Sequence, residues 1–243
     1  MLKFGGEHMN VALIIAGGVG ARMHQSIPKQ FINVDDKPVI VYTMECFQNH
    51  PDVDEIVVVC VDGWHEILKA YAKQFNITKL TKVVDGGETG HDSIRNGVFA
   101  IAEDHDENDF VMIHDAIRPM LSADIINDAI VTARKYGNSV VCIPCTEVML
   151  YSEDGLTSTQ NIDRDKLKRT QTPQTFRLGD LVKVHNIARE KGIKGVASAS
   201  LFADLGYTIH FSQGSEKNLK LTTVDDIDIF KALLKAQRAD WMK

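Results

Sequence analysis

A chain of 243 residues, 44% hydrophobic and 25% charged, can bury one sizeable α/β core, and no apolar run approaches the ~20 residues that a membrane helix needs. The formal net charge of −6 excludes a surface built to wrap nucleic acid, so any anion site must be a local concentration of positive charge. Cys46, Cys60, Cys142 and Cys145 are too few for a disulfide framework. Cys142 and Cys145 stand three apart beside a strand pattern, face opposite sides, and read as buried structural thiols. Residues 1–8 lack the apolar core of a secretory signal and read as an extension before a single domain of 9–243, with the cytoplasm as the expected compartment.

In chain order, short β-branched runs at 11–15, 56–61, 82–84, 110–113 and 140–143 predict strands. Segments of helical period lie between or after them at 39–47, 65–75, 93–102 and 123–136. This alternation predicts an α/β, Rossmann-like, mainly parallel twisted sheet with helices on both faces, whose ligands bind beyond the carboxyl ends of the strands. After Pro144 the rhythm changes. Residues 148–151 and 156–162, joined by a turn at 152–155, predict a protruding β-hairpin, an arm of about 145–165 whose unpaired edges suit dimerisation. Helices are expected at 178–190 and 199–205, a strand at 207–211, and a last helix near Val224, capped by Thr223 with Asp226 three residues on.

Four stretches carry candidate chemistry. The first strand runs into Ala16, Gly17, Gly18 and Gly20, then Arg22 and Pro28-Lys29-Gln30. Glycines let the backbone approach an anion, and Arg22 and Lys29 add full charges. A tight turn is the plain reading, and a dinucleotide loop is a rival. That rival is disfavoured because Pro28 would interrupt the following helix, and because the acidic candidate Glu45 falls inside a helix and not at a strand end. The second stretch, Asp85-Gly86-Gly87-Glu88 with Asp92-Ser93, offers backbone amides and carbonyls and the Ser93 hydroxyl to a base edge, or else a glycine turn with Ser93 as a cap. The third, His114-Asp115-Ala116-Ile117-Arg118-Pro119, puts a carboxylate at the sheet's functional edge, where it suits Mg²⁺, ribose hydroxyls or a structural pair with Arg118. His114 reads as a packed neutral residue. The fourth is a late segment, Asn218-Leu219-Lys220-Leu221-Thr222-Thr223.

Together with Arg164 and Gln171-Thr172-Pro173-Gln174, these stretches follow one another in the order seen in the 2-C-methyl-D-erythritol 4-phosphate and D-ribitol-5-phosphate cytidylyltransferases, which this chain resembles from Asn10 to Asp226. The resemblance implies a nucleotide-diphospho-sugar transferase type of fold and a CTP site made by Ala16, Gly17, Gly18, Gly20, Arg22, Lys29, Gly87, Ser93, Asp115, Ala116 and Arg118. It further implies catalytic roles for Arg22, Lys29 and Lys220, acceptor binding by Arg164, Thr172 and Lys220, Mg²⁺ or another divalent cation on Asp115, and a homodimer through the arm. The implied partners are CTP and a small phosphorylated polyol, with neither nucleic acid nor membrane.

The pattern departs from the family at Gly90, where an arginine is usual, and at Glu147-Val148-Met149-Leu150 and Val196-Ala197-Ser198, where the methylerythritol-phosphate enzymes carry hydroxyl and charged residues. These departures cluster on the second substrate. The resulting expectation is a CDP-alditol-forming enzyme, such as one using ribitol 5-phosphate for a cell-surface polymer. The isoprenoid step on 2-C-methyl-D-erythritol 4-phosphate is the alternative, and a non-catalytic CTP-binding protein is the rival of another class.

Overall fold

A computed structural model of the chain describes residues 8–18, 27–193, 195 and 197–240. Its centre is a seven-stranded sheet. The strands are β1 (Asn10–Ala16), β4 (Glu55–Cys60), β5 (Leu80–Asp85), β6 (Phe110–Asp115), β7 (Asn138–Pro144), β10 (Lys168–Arg177) and β11 (Phe211–Gln213), in the order β11-β7-β10-β6-β1-β4-β5. A 3-10 turn (Lys29–Phe31) and a two-residue ribbon, β2 (Asn33–Val34) with β3 (Lys37–Pro38), follow β1. A separate ribbon, β8 (Met149–Tyr151) with β9 (Gln160–Ile162), forms the arm.

All pairings in the large sheet are parallel except those of β10, which runs antiparallel to both β6 and β7. The crossovers carry α1 (Val39–Gln48), α2 (His65–Gln74), α3 (Gly90–Ala102) and α4 (Ala123–Tyr136). Three later helices are α5 (Leu178–Glu190), α6 (Ser198–Asp204) and α7 (Val224–Asp240).

Strand β1 shows why its sequence is apolar from Val11 to Ala16. Ala12, Ile14 and Ala16 pack on one face with Ile40, Met44 and Phe47 of α1, Leu68 of α2 and Ile126 of α4. Val11 and Leu13 pack on the other with Ile94 and Val98 of α3, Leu181 and Val184 of α5, and Phe202 of α6. With period two and both faces covered, alternation vanishes from the sequence. A third cluster docks α7, where Phe230 meets Tyr42 edge-on at 5.2 Å. The expected cap of α7 is present: Asp226 Oδ2 accepts from the Thr223 amide at 2.8 Å, and the Asp226 amide donates to Thr223 Oγ1 at 3.3 Å.

Three expectations need correction. The strand expected at 207–211 starts only at Phe211. The Asn138 side chain donates to Thr208 O and accepts from the His210 amide, so a side chain replaces the ladder along the approach to β11. The second arm strand is shorter than 156–162, because Asp154 gathers the amides of Leu156 and Thr157 and the Thr157 hydroxyl into a wide loop. Helix α3 begins at Gly90 on the cap Thr89, whose hydroxyl accepts from the Asp92 amide, so Ser93 is not the cap. The thiols of Cys142 and Cys145 are unbridged; Cys145 is buried and Cys142 half-buried.

His185 on α5 is buried with neither ring nitrogen hydrogen-bonded among the described residues, and it faces His91 at 5.0 Å. Burial, with His91 and Arg95 nearby, lowers its pKa from 6.5 to about 4. The folded protein therefore takes this proton later than an unfolded imidazole does, and acidification from pH 6.5 towards 4 favours the unfolded chain. Such a group is worth up to about 1.4 kcal/mol per pH unit in that window, or roughly 2–4 °C in a chain of this size. His185→Leu is expected to raise Tm more at pH 5.5 than at pH 8 in thermal unfolding monitored by circular dichroism; an equal shift at both would remove His185 from the acid response.

Candidate active site

The carboxyl ends of β1, β4 and β5 bring the two glycine turns together. The carbonyl of Ala16 accepts from the Val61 amide at 3.1 Å and from Gln30 Nε2 at 2.7 Å, and Gln30 Nε2 also reaches Gly18 O at 3.0 Å. The buried Gln30 thus staples the start of the first turn to the segment that carries Lys29. Gly17 lies so close to the second turn that a Cβ there would stand 2.9 Å from Ser93 Oγ.

The second turn is organised differently from the sequence expectation. The Gly86 amide donates to Cys60 O and the Gly87 amide to Ser93 Oγ, each at 3.0 Å. Both amides are therefore engaged within the protein. The two carbonyls and the Ser93 hydroxyl hydrogen are the groups of this turn that a base edge would meet. Beyond the carboxyl ends of β1, β4 and β5 a cavity of about 420 Å³ is lined by Gly17, Val61, Asp62, Asp85, Gly86 and Gly87.

On the other side of β1, strand β6 ends at Asp115. Its Oδ2 accepts from Arg118 Nε at 2.9 Å and its Oδ1 from Lys220 Nζ at 3.1 Å, so one carboxylate joins residues more than a hundred positions apart. Burial would raise the Asp115 carboxyl, but the charges of Lys220 and Arg118 and the Arg118 hydrogen bond hold it below the usual carboxylate range.

His114 is fully buried and its pKa falls to about 4, chiefly through desolvation. It is a neutral imidazole at physiological pH. Its Nε2 lies 3.2 Å from Arg118 O, which can only accept, so Nε2 carries the proton and Nδ1 accepts from the Thr172 hydroxyl at 2.9 Å. Thr172 Oγ1 in turn accepts from the Asp115 amide at 3.2 Å. Ala116 is fixed by bonds from its amide to Ile15 O and from Thr43 Oγ1 to its carbonyl. A cavity of about 300 Å³ opens here, lined among others by Gly90, Asp115, Arg118, Thr172, Ala197 and Lys220.

The structure therefore gathers Ala16, Gly17, Gly18, Gly87 and Ser93 on one side of β1 and Asp115, Ala116, Arg118, Thr172 and Lys220 on the other, with Lys29 opening the 3-10 turn beside the first glycines. Gly20 and Arg22 lie outside the described residues. Arg164 does not join the cluster within this chain. It is exposed at the base of the arm, where its Nη1 donates to Thr146 O at 2.6 Å. Thr172, expected to touch the acceptor, has its hydroxyl turned to His114 and Asp115. Gln30, Gln171 and Asn218 carry no role in the sequence reading, yet in the structure Gln30 and Asn218 donate to backbone carbonyls and Gln171 both donates to and accepts from Ser215.

The chain matches the family model described as 2-C-methyl-D-erythritol 4-phosphate cytidylyltransferase over residues 10–236. It is 41% identical to a ribitol-5-phosphate cytidylyltransferase of Lacticaseibacillus paracasei over 93% of this chain and 98% of that one. Identity is 35% to a 2-C-methyl-D-erythritol 4-phosphate cytidylyltransferase of Clostridium acetobutylicum, over 93% and 98% of the two chains. A crystal structure of a 4-diphosphocytidyl-2C-methyl-D-erythritol synthase superposes with a TM-score of 0.78 at 27% identity, over 93% of this chain and 99% of that one. These matches, on a doubly wound sheet with two glycine turns and a cationic cluster beyond its strand ends, place the chain among the nucleotidyltransferases. The chain belongs to the 2-C-methyl-D-erythritol 4-phosphate cytidylyltransferase family.

The contact between the glycine turns is testable. Gly17→Ala is expected to cost about 1–3 kcal/mol of stability through overpacking against Ser93 Oγ. In a Ser93→Ala background most of that cost disappears, since the next neighbours, Gly86 Cα and Ser93 Cβ, stand at 3.4 and 3.5 Å. Urea unfolding of the four variants measures the coupling; strictly additive losses would contradict the contact.

Proposed function

We propose that the protein transfers the cytidylyl group of CTP to D-ribitol 5-phosphate, forming CDP-ribitol and releasing pyrophosphate, as a cytoplasmic enzyme supplying a cell-surface polymer. The observation that carries this reading is the placement of a glycine turn and an Asp115–Arg118–Lys220 cluster on either side of one strand end, where a nucleotide triphosphate and a second phosphate can lie side by side. The choice of acceptor is supported by the higher identity to the ribitol-5-phosphate relative than to the methylerythritol one. It is also supported by Gly90, which leaves open space in the second cavity, with nothing within 4 Å of where its Cβ would stand. The model that defines the family favours 2-C-methyl-D-erythritol 4-phosphate as the second reading.

In the proposed reaction a phosphate oxygen of the acceptor attacks the α-phosphorus of CTP. The new P–O bond forms as the bond to the β-phosphate breaks, and the electron pair leaves on pyrophosphate. A phosphate monoester has its second pKa near ~6 and needs no general base. This suits a site whose buried histidine, His114, is neutral and fully hydrogen-bonded. Both reactants are polyanions, so the work left to the protein is alignment and neutralisation, assigned to Arg22, Lys29 and Lys220.

A divalent cation, expected to be Mg²⁺, would add charge neutralisation on the phosphates. Asp115 suits it as a protein ligand, because each carboxylate oxygen keeps a lone pair beyond its one cationic partner. Among the described residues no group of three His, Cys, Asp or Glu side chains converges, which suits an ion held mainly by phosphate and water.

The arm is assigned to homodimerisation. Val148, Leu150 and Leu156 on it are 72%, 59% and 90% exposed, an apolar display that a lone ribbon leaves in water. Pairing of two arms would cover it, and it would let Arg164 reach an acceptor bound to the second copy.

Pyrophosphate release with CTP, Mg²⁺ and a panel of polyol phosphates tests the reading. Ribitol 5-phosphate is expected to give the highest kcat/KM; preference for 2-C-methyl-D-erythritol 4-phosphate would replace the acceptor, and silence with CTP still bound would leave a binding protein. Lys29→Ala is expected to lower turnover by on the order of 10²- to 10³-fold. Light scattering should give twice the chain mass for the unaltered protein and the single-chain mass for Val148→Asp/Leu150→Asp; a monomer from the start would remove the arm's role.

A further inference from the structure

Beside Lys220 and Arg118 lies a buried side chain, that of Asn218, whose hydrogen bonds go to neither of them. Asn218 has no solvent exposure. Its Nδ2 donates to Thr172 O at 2.8 Å and to Gln171 Oε1 at 3.3 Å, both on β10, while its own carbonyl accepts from Arg118 Nη1 at 2.8 Å. Gln171 completes the strap from the strand side. Its Nε2 donates to Ser215 O at 2.8 Å and its Oε1 accepts from the Ser215 amide at 3.3 Å. Gly214 makes the approach possible, since a Cβ there would stand 2.5 Å from Gln171 Oε1. Beyond Lys220, the Leu221 amide donates to Ile117 O at 2.9 Å. The segment 215–221 is thereby tied to β10 at one end and to the turn after β6 at the other, with Lys220 between the ties.

A lysine ammonium on a flexible stem, 42% exposed, gains its placement from its backbone. We propose that Asn218, together with Gln171, is a positioning residue that sets Lys220 and Arg118 on the Asp115 carboxylate. The inference rests on the reading of Lys220 as a group that stabilises the transition state. The strap works through donors: Asn218→Asp keeps the volume but turns an oxygen towards Gln171 Oε1 and Thr172 O, and Gln171→Glu does the same towards Ser215 O.

Steady-state kinetics with CTP and ribitol 5-phosphate should show kcat falling about 10- to 100-fold in each variant, with KM for CTP changed less than about threefold. In a Lys220→Ala background, Asn218→Asp should cost clearly less than it does alone, because the part of its effect that passes through Lys220 is already lost while the part that passes through Arg118 remains. Hydrogen exchange of amides 215–221 should accelerate at least about tenfold in both variants while the amides of α3 are unchanged. Equal losses from Asn218→Asp with and without the Lys220→Ala change, wild-type kcat in a folded variant, or unaltered exchange over 215–221 would each overturn the proposal. Should Asn218→Asp fail to fold, Gln171→Glu carries the same arms. If the unaltered enzyme releases no pyrophosphate with any acceptor, the functional reading falls and the exchange experiment alone decides the strap.

Discussion

A single carboxylate, Asp115, holds two cations at the end of a buried strand, and much of the rest of the site exists to make that tolerable. A largely buried charge is costly unless it is paired and hydrogen-bonded. Arg118 and Lys220 supply the pairing, one to each oxygen. Their combined effect outweighs burial and keeps the carboxyl ionised. The arrangement concentrates positive charge in a chain whose net charge is −6, as the proposed meeting of two polyanions requires.

The antiparallel strand β10 is what makes this possible. Inserted between β6 and β7, it brings Thr172 against His114 and the Asp115 amide, and Gln171 against the segment that carries Lys220. His114 is fully occupied by Thr172 and the backbone, while the Thr172 hydroxyl, which donates to His114 and accepts from the Asp115 amide, keeps one lone pair at the wall of the cavity. On the other side of β1, Gly17 lies so close to the second glycine turn that a Cβ there would stand 2.9 Å from Ser93 Oγ, so the two glycine segments are packed against each other.

Much of this was legible in the sequence. The central parallel strands β1, β4 and β6 announced themselves through apolar, β-branched runs, because nearly every residue in them is buried. The α7 cap was readable from Thr223 and Asp226, and the cluster Asp115, Arg118 and Lys220 from recognised stretches. Strand β10 was not readable. Its residues are largely polar, and Pro173 sits where pairing with β7 breaks between Thr170 and Gln174, which counts against a central strand in any local reading. The roles of the Gly86 and Gly87 amides escape the sequence for a related reason: a glycine pair signals close approach without saying whether the partner is a ligand or the protein's own Cys60 and Ser93. Asn218 and Gln30 were hidden because their partners lie far away on β10 or are backbone carbonyls, which leave no trace in residue identity.

The most direct test of the account is the turnover of Asp115→Asn, which keeps the shape and the hydrogen-bonding oxygen while removing the charge. With CTP, Mg²⁺ and ribitol 5-phosphate, a folded variant is expected to release pyrophosphate on the order of 10²-fold more slowly than the unaltered enzyme. Turnover within about threefold of the unaltered rate would contradict the claim that this carboxylate organises the site.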